Sequence, residues 1–435
     1  MRLVVTLLIS LLAATIAAHD YVPAKPQSQP ILLKGGDLHT VSDGVMTSTD
    51  LLFVDGRIAQ IGKNLTPDSS TKVIDVTGKN VYPGLIASNT ALGLIEIGEV
   101  RATNDTREIG SDNPMVRASI AYNPDSELLP TVRSNGVTTA LVVPKGRLIT
   151  GYSFLVYLDG WTVEDATVQE DVGLHVVWPQ SKVITAWWEE RSAEEQKKQM
   201  AENRARIYKV FENARSYHLG RTAGRIDKID TRWEAMRTIF EGTKPVFIQA
   251  NDYRQIEQAV QFARDYNFRL IITGGNDSWM LTDLLKANDV PVVLRRPQSL
   301  PPREDDGYDL IYRLPARLAE AGVKFCISTA GGGGGTAASV RNLPLQAGHA
   351  AGFGLSKEDA LRAITLSPAE ILGVGDRLGS LEVGKQATIV VSEGDILDML
   401  GHGVVLEFIS GRQVDLDNKH KELYRKYQQK SLPSQ

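Results

Sequence analysis

From Ile31 onward, apolar residues fall in short runs divided by turn residues: ILLKGGDLHTV, then DLLFVDGRIAQIG, then KVIDVTGKNVYPG. Such runs, rich in Val, Ile and Leu and bounded by Gly and Asp, predict strands. Val54-Asp55-Gly56-Arg57 predicts a two-residue hairpin, because Asp-Gly accepts the positive φ angles of a primed turn. The same texture returns in GSLEVGKQATIVVSEG and VVLEFISGRQV, between Gly379 and Val414. Residues 29–83 and 379–415 are each too few to enclose a core. The two ends are therefore expected to pair into one small composite β-sandwich domain.

Between them, over residues 84–378, the period changes. Apolar runs at 137–143, 174–178, 246–249, 270–273, 292–294 and 323–328 alternate with helical patterns. Residues 254–266 place Ile256, Ala259, Val260 and Ala263 on one face, and residues 278–287 do so with Met280, Leu281, Leu284 and Leu285. Asp252 and Asp277 stand directly before these helices, where a carboxylate caps free backbone N–H groups. Ser356, with Asp359 three residues on, opens a later helix carrying Ala360, Leu361 and Ile364 inward. A charged helix over 192–217 starts with the capping pair Ser192 and Glu195. Its narrow stripe of Ile207, Val210, Phe211 and Ala214 suits an outer or inserted helix. Strand–helix alternation predicts parallel α/β architecture and, at this length, a TIM-like (β/α)8 barrel.

Charge adds an exclusion. Acidic and basic residues nearly balance, at a net −4, so the chain has no electrostatic footprint for nucleic acid. At the N-terminus, Arg2 precedes an apolar run ending in Thr15, Ala17 and Ala18. This pattern over residues 1–18 predicts a cleaved signal peptide, and the run is shorter than the roughly 20 residues of a membrane span. The mature chain is then periplasmic or secreted, without a span. Cys326 is the only cysteine, so no internal disulfide forms, which suits a bacterial periplasm. Gly331 to Gly335 predicts a flexible loop after the last barrel strand, and residues 416–435 form a charged tail.

Three blocks carry a resemblance: VTGKNVYPGLI, GVTTALVVPKGRLITGYSFLVYLDG from Gly136, and NLPLQAGHAAGFGLSKEDALRAITLSPAEILGVGDRLGSLEVGKQATIVV from Asn342. With them the chain resembles the amidohydrolase superfamily, specifically its imidazolonepropionase-like metal-dependent hydrolases of non-peptide C–N bonds. The resemblance implies a divalent ion held by imidazole and carboxylate at the C-terminal ends of the barrel strands.

Position by position, those ligands are absent. The first-strand histidine pair falls on Asn89 and Ala91, with Ala87 for the preceding aspartate. In PVFIQAND the histidine positions hold Gln249 and Asn251; on the sixth strand stands Gly274, and on the eighth Ala330 replaces the aspartate. Lowering the pKa of water from about 16 to about 7 is worth roughly 12 kcal/mol in access to hydroxide, which amide side chains cannot supply. Ser88, Ser328 and Cys326 have no identifiable histidine partner as nucleophiles. The expectation is a metal-free barrel without catalytic residues, in which Asn89, Gln249, Asn251 and Asn276 hydrogen-bond a small-molecule ligand. The expected partners are that ligand and further subunits, as a homo-oligomer or beside an active relative. The alternative is an active amidohydrolase, cleaving a cyclic amide or small peptide with Zn or another divalent metal at a rearranged site. His175, His218 and His349, or the carboxylates Glu96, Glu99, Asp252 and Asp277, would have to build it.

Overall fold

The computed structural model describes residues 21–330 and 337–431, so residues 1–18, where a signal peptide is expected, and the five-glycine run lie outside the described residues. Five strands open the chain: β1 (Ile31–His39), β2 (Val45–Val54), β3 (Arg57–Gly62), β4 (Lys72–Asp75) and β5 (Asn80–Pro83). Eight follow: β6 (Leu85–Thr90), β7 (Val137–Val142), β8 (Ile149–Tyr157), β9 (Thr167–Val177), β10 (Val246–Ala250), β11 (Leu270–Gly274), β12 (Val292–Leu294) and β13 (Phe325–Ile327). Near the end come β14 (Ile389–Ser392), β15 (Val404–Ile409) and β16 (Arg412–Gln413).

The first sheet joins both ends of the chain, in the order β16-β15-β14-β5-β1-β2-β3, with β4 also on β1. Hydrogen bonding is continuous through this one sheet, which curls about its core rather than dividing into two separate sheets. The bend lies in β1, whose first half pairs with β4 and whose second half pairs with β5. Between them the register shifts at Gly36, where a Cβ would sit 2.9 Å from Val81 Cγ2. Leu33, Leu38, Phe53 and Val81 from one end pack with Ile389, Val391 and Phe408 from the other. Phe53 meets Phe408 edge-on, centroids 5.0 Å apart. Asp55 and Gly56 form the expected turn, with φ of 48° and 74°.

The second sheet is the barrel, ordered β6 through β13. Seven strands run parallel, but β8 is antiparallel to both neighbours. Here the simple alternation expected from sequence gives way to a meander. All nine residues of β8 are buried, and neither burial nor side-chain alternation marks the direction in which a strand runs. Peptides of the later helical segment close the ring: Ile86 N–H donates to Ile364 O and Ile327 N–H to Ala363 O, each at 2.9 Å. Strand pleating then sets the interior. Ile86, Leu141, Phe247, Ile271, Val293 and Cys326 cluster within the barrel, and residues two further along, including Gln249, Thr273 and Arg295, rise to its C-terminal mouth.

The helix expected from Ser192 spans Ala193–Thr222, with the Ser192–Glu195 capping box formed and Ile207, Val210, Phe211 and Ala214 buried. Its Phe211 packs on Phe262 of the helix Tyr253–Tyr266, centroids 4.8 Å apart. Both rings are fully buried, each worth about 1.5–3 kcal/mol in removed apolar surface. Residues 278–287 differ from expectation. They split into a 3-10 turn, Ser278–Met280, and a helix, Thr282–Ala287, which leaves Met280 43% exposed rather than inward. Among the described residues no helix is long and apolar enough to cross a membrane.

At the opposite end of the barrel from the mouth lies a buried ionic cluster. Asp159 accepts from Tyr21 and lies 3.7 Å from Arg133 Nη1 and 3.2 Å from Arg412 Nη2. Arg133 also donates to Leu158 O and Asp415 O. Nearby Glu407 is fully buried, and neither carboxyl oxygen has a hydrogen-bond partner.

Candidate functional site

The C-terminal mouth opens into a cavity of ≈ 380 Å³. Asn89 and Ala91 enter it from the end of β6, Gln249 from β10, Gly274 from β11 and Ala330 from just beyond β13. All five positions at which the resemblance implies metal ligands thus line one space, although nearly the whole barrel separates the first from the last in sequence. Asn251 and Asn276 do not line it. Asn251 Oδ1 is instead buried without a hydrogen-bond partner beneath Gly274. A Cβ on Gly274 would lie 2.4 Å from that oxygen, and Gly274 has φ +102°. This backbone therefore excludes an imidazole at 274 without rearrangement.

Other sequence candidates resolve into structural roles. Asp252 caps its helix, accepting from Arg254 N–H and Gln255 N–H. Asp277 makes no such cap. It accepts from Tyr253 N–H and takes both terminal nitrogens of Arg303 at 2.8 and 3.0 Å, tying the segment after β12 to the turn after β11. Side-chain hydrogen bonding to Asp277 is the main reason the Arg303 guanidinium holds its proton more tightly than usual. Glu96 and Glu99 lie in the loop after β6, and burial raises the Glu96 carboxyl. His218 belongs to the helix Ala193–Thr222 and His349 to Leu343–Gly352, both away from the cavity.

His175 does line it. The ring stacks on Phe247 at 4.6 Å with 4° between planes, 6% exposed, and its Nε2 is buried without a partner. Burial pushes the imidazole down to about 3, so it is neutral near pH 7. Cys326 donates to Ser88 Oγ at 3.4 Å, and burial pushes its thiol up to about 12. That thiol is no nucleophile at neutral pH, because too little is ionised. Ser328 Oγ is occupied, donating to Leu294 O at 2.7 Å.

Two cavity residues were not anticipated: Lys145, in the turn after β7, and Arg295, directly after β12. Lysine in a Pro-Lys-Gly turn reads as a solvated charge. Arg295 was legible from the pleat, since it stands two residues beyond Val293, which faces the barrel interior. Burial lowers both cations from their ordinary values, and the neighbouring Arg296 lowers Arg295 further. Among the described residues no aspartate or glutamate lines the cavity.

A divalent transition ion needs three or four imidazole, thiolate or carboxylate donors. Among the described residues His175 is the cavity's only side chain of these types. Among the described residues no three His, Cys, Asp or Glu side chains converge to hold an ion. The residues present do not make the donor set that such an ion requires.

Comparison with known proteins bears on ancestry. The model of the amidohydrolase family matches residues 311–416. The amidohydrolase tasK of Hapsidospora irregularis is 22% identical over 411 residues, covering 83% of this chain and 39% of that protein. Dihydropyrimidinase of Dictyostelium discoideum is 30% identical over 189 residues, 42% of this chain and 31% of that enzyme. The chain thus spans less than two fifths of the length of these curated relatives. The solved structure of an amidohydrolase from Thermotoga maritima superposes with a TM-score of 0.78 at 23% identity, covering 88% of this chain and 99% of that one. Barrel and companion sheet are those of the amidohydrolase structure, and the C-terminal segment 311–416 matches the amidohydrolase family model.

Proposed function

We propose that this chain is an exported amidohydrolase-superfamily protein whose barrel has given up its catalytic metal and kept its cavity for binding. One observation carries the reading. Asn89, Ala91, Gln249, Gly274 and Ala330 converge on one cavity of ≈ 380 Å³, yet none carries a side chain that ligates a transition ion. The cavity has the size of a small-molecule site, and Asn89 and Gln249 offer it both donors and acceptors. The apolar segment at residues 1–18 supports export.

A second observation favours a non-catalytic partner subunit. Trp187, Trp188 and Leu300 are 93%, 66% and 90% exposed, on segments that follow β9 and β12 at the mouth. Large apolar side chains gathered on one rim mark contact surfaces. Native mass spectrometry of protein isolated from its source tests both roles. The expected result is a retained small molecule or a bound hydrolase subunit. A bare monomer in repeated preparations would count against the proposal.

A further inference from the structure

The C-terminal tail presents a second surface, independent of what the cavity holds. Within the charged segment 416–435 a helix, Lys419–Ser431, follows β16. Helical spacing sorts its side chains by face. Leu423, Tyr424 and Tyr427 share one face. Lys419, Lys426 and Lys430 run along one flank of that face, and Lys421 and Arg425 along the other. Glu422, the helix's only acidic residue, lies on the opposite side.

An amphipathic helix on a globular protein ordinarily turns its apolar stripe to the core. Here the arrangement is reversed. Of residues 419–430 only Glu422 is half-buried, and the others, Tyr424 and Tyr427 among them, are exposed. The start of the helix is anchored: Arg341 Nη1 lies 3.3 Å from His420 Nδ1, Arg425 pairs with Asp417 at 2.6 Å, and Lys419 with Glu422 at 3.6 Å. Lys426 and Lys430, in the second half, make none of these ion pairs.

The chain's net charge of −4 conceals this local excess of five basic residues over one acidic. Screening limits attraction to about 8 Å in physiological salt, so the helix, about 20 Å long, decides locally what is attracted. Clusters of roughly four to eight Lys and Arg on an amphipathic helix suit anionic lipid headgroups, and tyrosine rings sit at headgroup depth. A protein groove would take apolar anchors repeated along the helix, whereas this stripe holds one leucine and two tyrosines. With so little apolar surface, the helix would lie on a bilayer rather than enter it.

We infer that the helix Lys419–Ser431 docks the protein on an anionic phospholipid surface, its Lys and Arg side chains meeting the phosphates and its tyrosines the headgroup layer.

Cosedimentation of the purified mature protein with lipid vesicles tests it. Vesicles of equal parts phosphatidylglycerol and phosphatidylcholine should bind it at least tenfold more tightly than phosphatidylcholine alone. In about 1 M salt, where screening reaches about 3 Å, the difference should vanish. Lys426→Glu with Lys430→Glu should weaken binding tenfold or more, and Tyr424→Ser with Tyr427→Ser severalfold. The same charge change on the body, Lys63→Glu with Lys324→Glu at exposed positions, should leave binding within about twofold. Circular dichroism melts establish that the variants fold, and Lys426→Gln with Lys430→Gln substitutes for a tail pair that does not. Equal binding to both vesicles, no binding at millimolar lipid, an unchanged tail variant, or an equal loss from the body pair would each overturn the inference. Self-association lost in the tail variant, without vesicle binding, would overturn it and assign the helix to a second copy of the chain; tighter binding to duplex DNA than to vesicles would overturn it too. Neither metal content nor cavity binding enters these measurements, so this inference and the proposed function fail separately.

Discussion

The two ends of the barrel hold charge in opposite ways. At the closed end Asp159 sits between Arg133 and Arg412, and Arg133 is further bonded to two carbonyl groups. At the mouth Lys145 and Arg295 line a cavity to which, among the described residues, no aspartate or glutamate contributes. The closed end is compensated from within the chain, which ties the barrel to the companion sheet through Arg412 of β16. At the closed end Arg133 and Asp159 are buried, whereas at the mouth Lys145 is exposed and Arg295 half-buried.

The largest expected effect comes from breaking the closed end. Asp159→Ala leaves two cations without their shared anion and should cost about 3–5 kcal/mol in urea unfolding; a loss below about 1 kcal/mol would show that the cluster is not the clamp described. Glu407 beside it gives a pH signature. Burial raises its carboxyl well above the ordinary value, with Arg133 partly opposing. The folded chain then binds this proton more tightly than the unfolded chain. Its contribution is full below about pH 4.5 and declines as pH rises toward the folded value, by at most about 1.4 kcal/mol per pH unit. Glu407→Gln should flatten that slope in melts between pH 4.5 and 7. An unchanged slope would mean another group is responsible.

At the mouth, Gly274→His tests whether a family ligand can simply be restored. The positive φ and the contact with Asn251 Oδ1 predict a loss of about 1–3 kcal/mol, without gain of zinc affinity. A variant as stable as the parent that binds zinc tightly would contradict this. The smallest effect is expected from Lys145→Ala, an exposed position, whose stability should stay within about 0.5 kcal/mol of the parent in urea unfolding. A loss comparable to that of Asp159→Ala would erase the contrast between the two ends.

What could be read in the sequence follows from how local its signals are. Asp55-Gly56 fixes its turn by backbone chemistry alone, and the apolar period fixes the helix Tyr253–Tyr266 and its Asp252 cap. Register within barrel strands was enough to bring Asn89, Gln249 and Ala330 to one rim. The direction of β8 was hidden, because a strand buried on both sides shows no alternation. Asp277 looked like a second cap, and only the fold brings Arg303 to it. Lys145 lies in a loop, where no strand period says that it will reach the cavity wall.

Elemental analysis of the purified mature protein, by inductively coupled plasma mass spectrometry after dialysis against metal-free buffer, tests the central claim most directly. The account predicts clearly substoichiometric Zn, Mn and Fe in a fully folded protein. One equivalent of tightly held transition metal per chain, removed by substituting residues other than Asn89, Ala91, Gln249, Gly274 and Ala330, would contradict it and establish a rearranged hydrolase site.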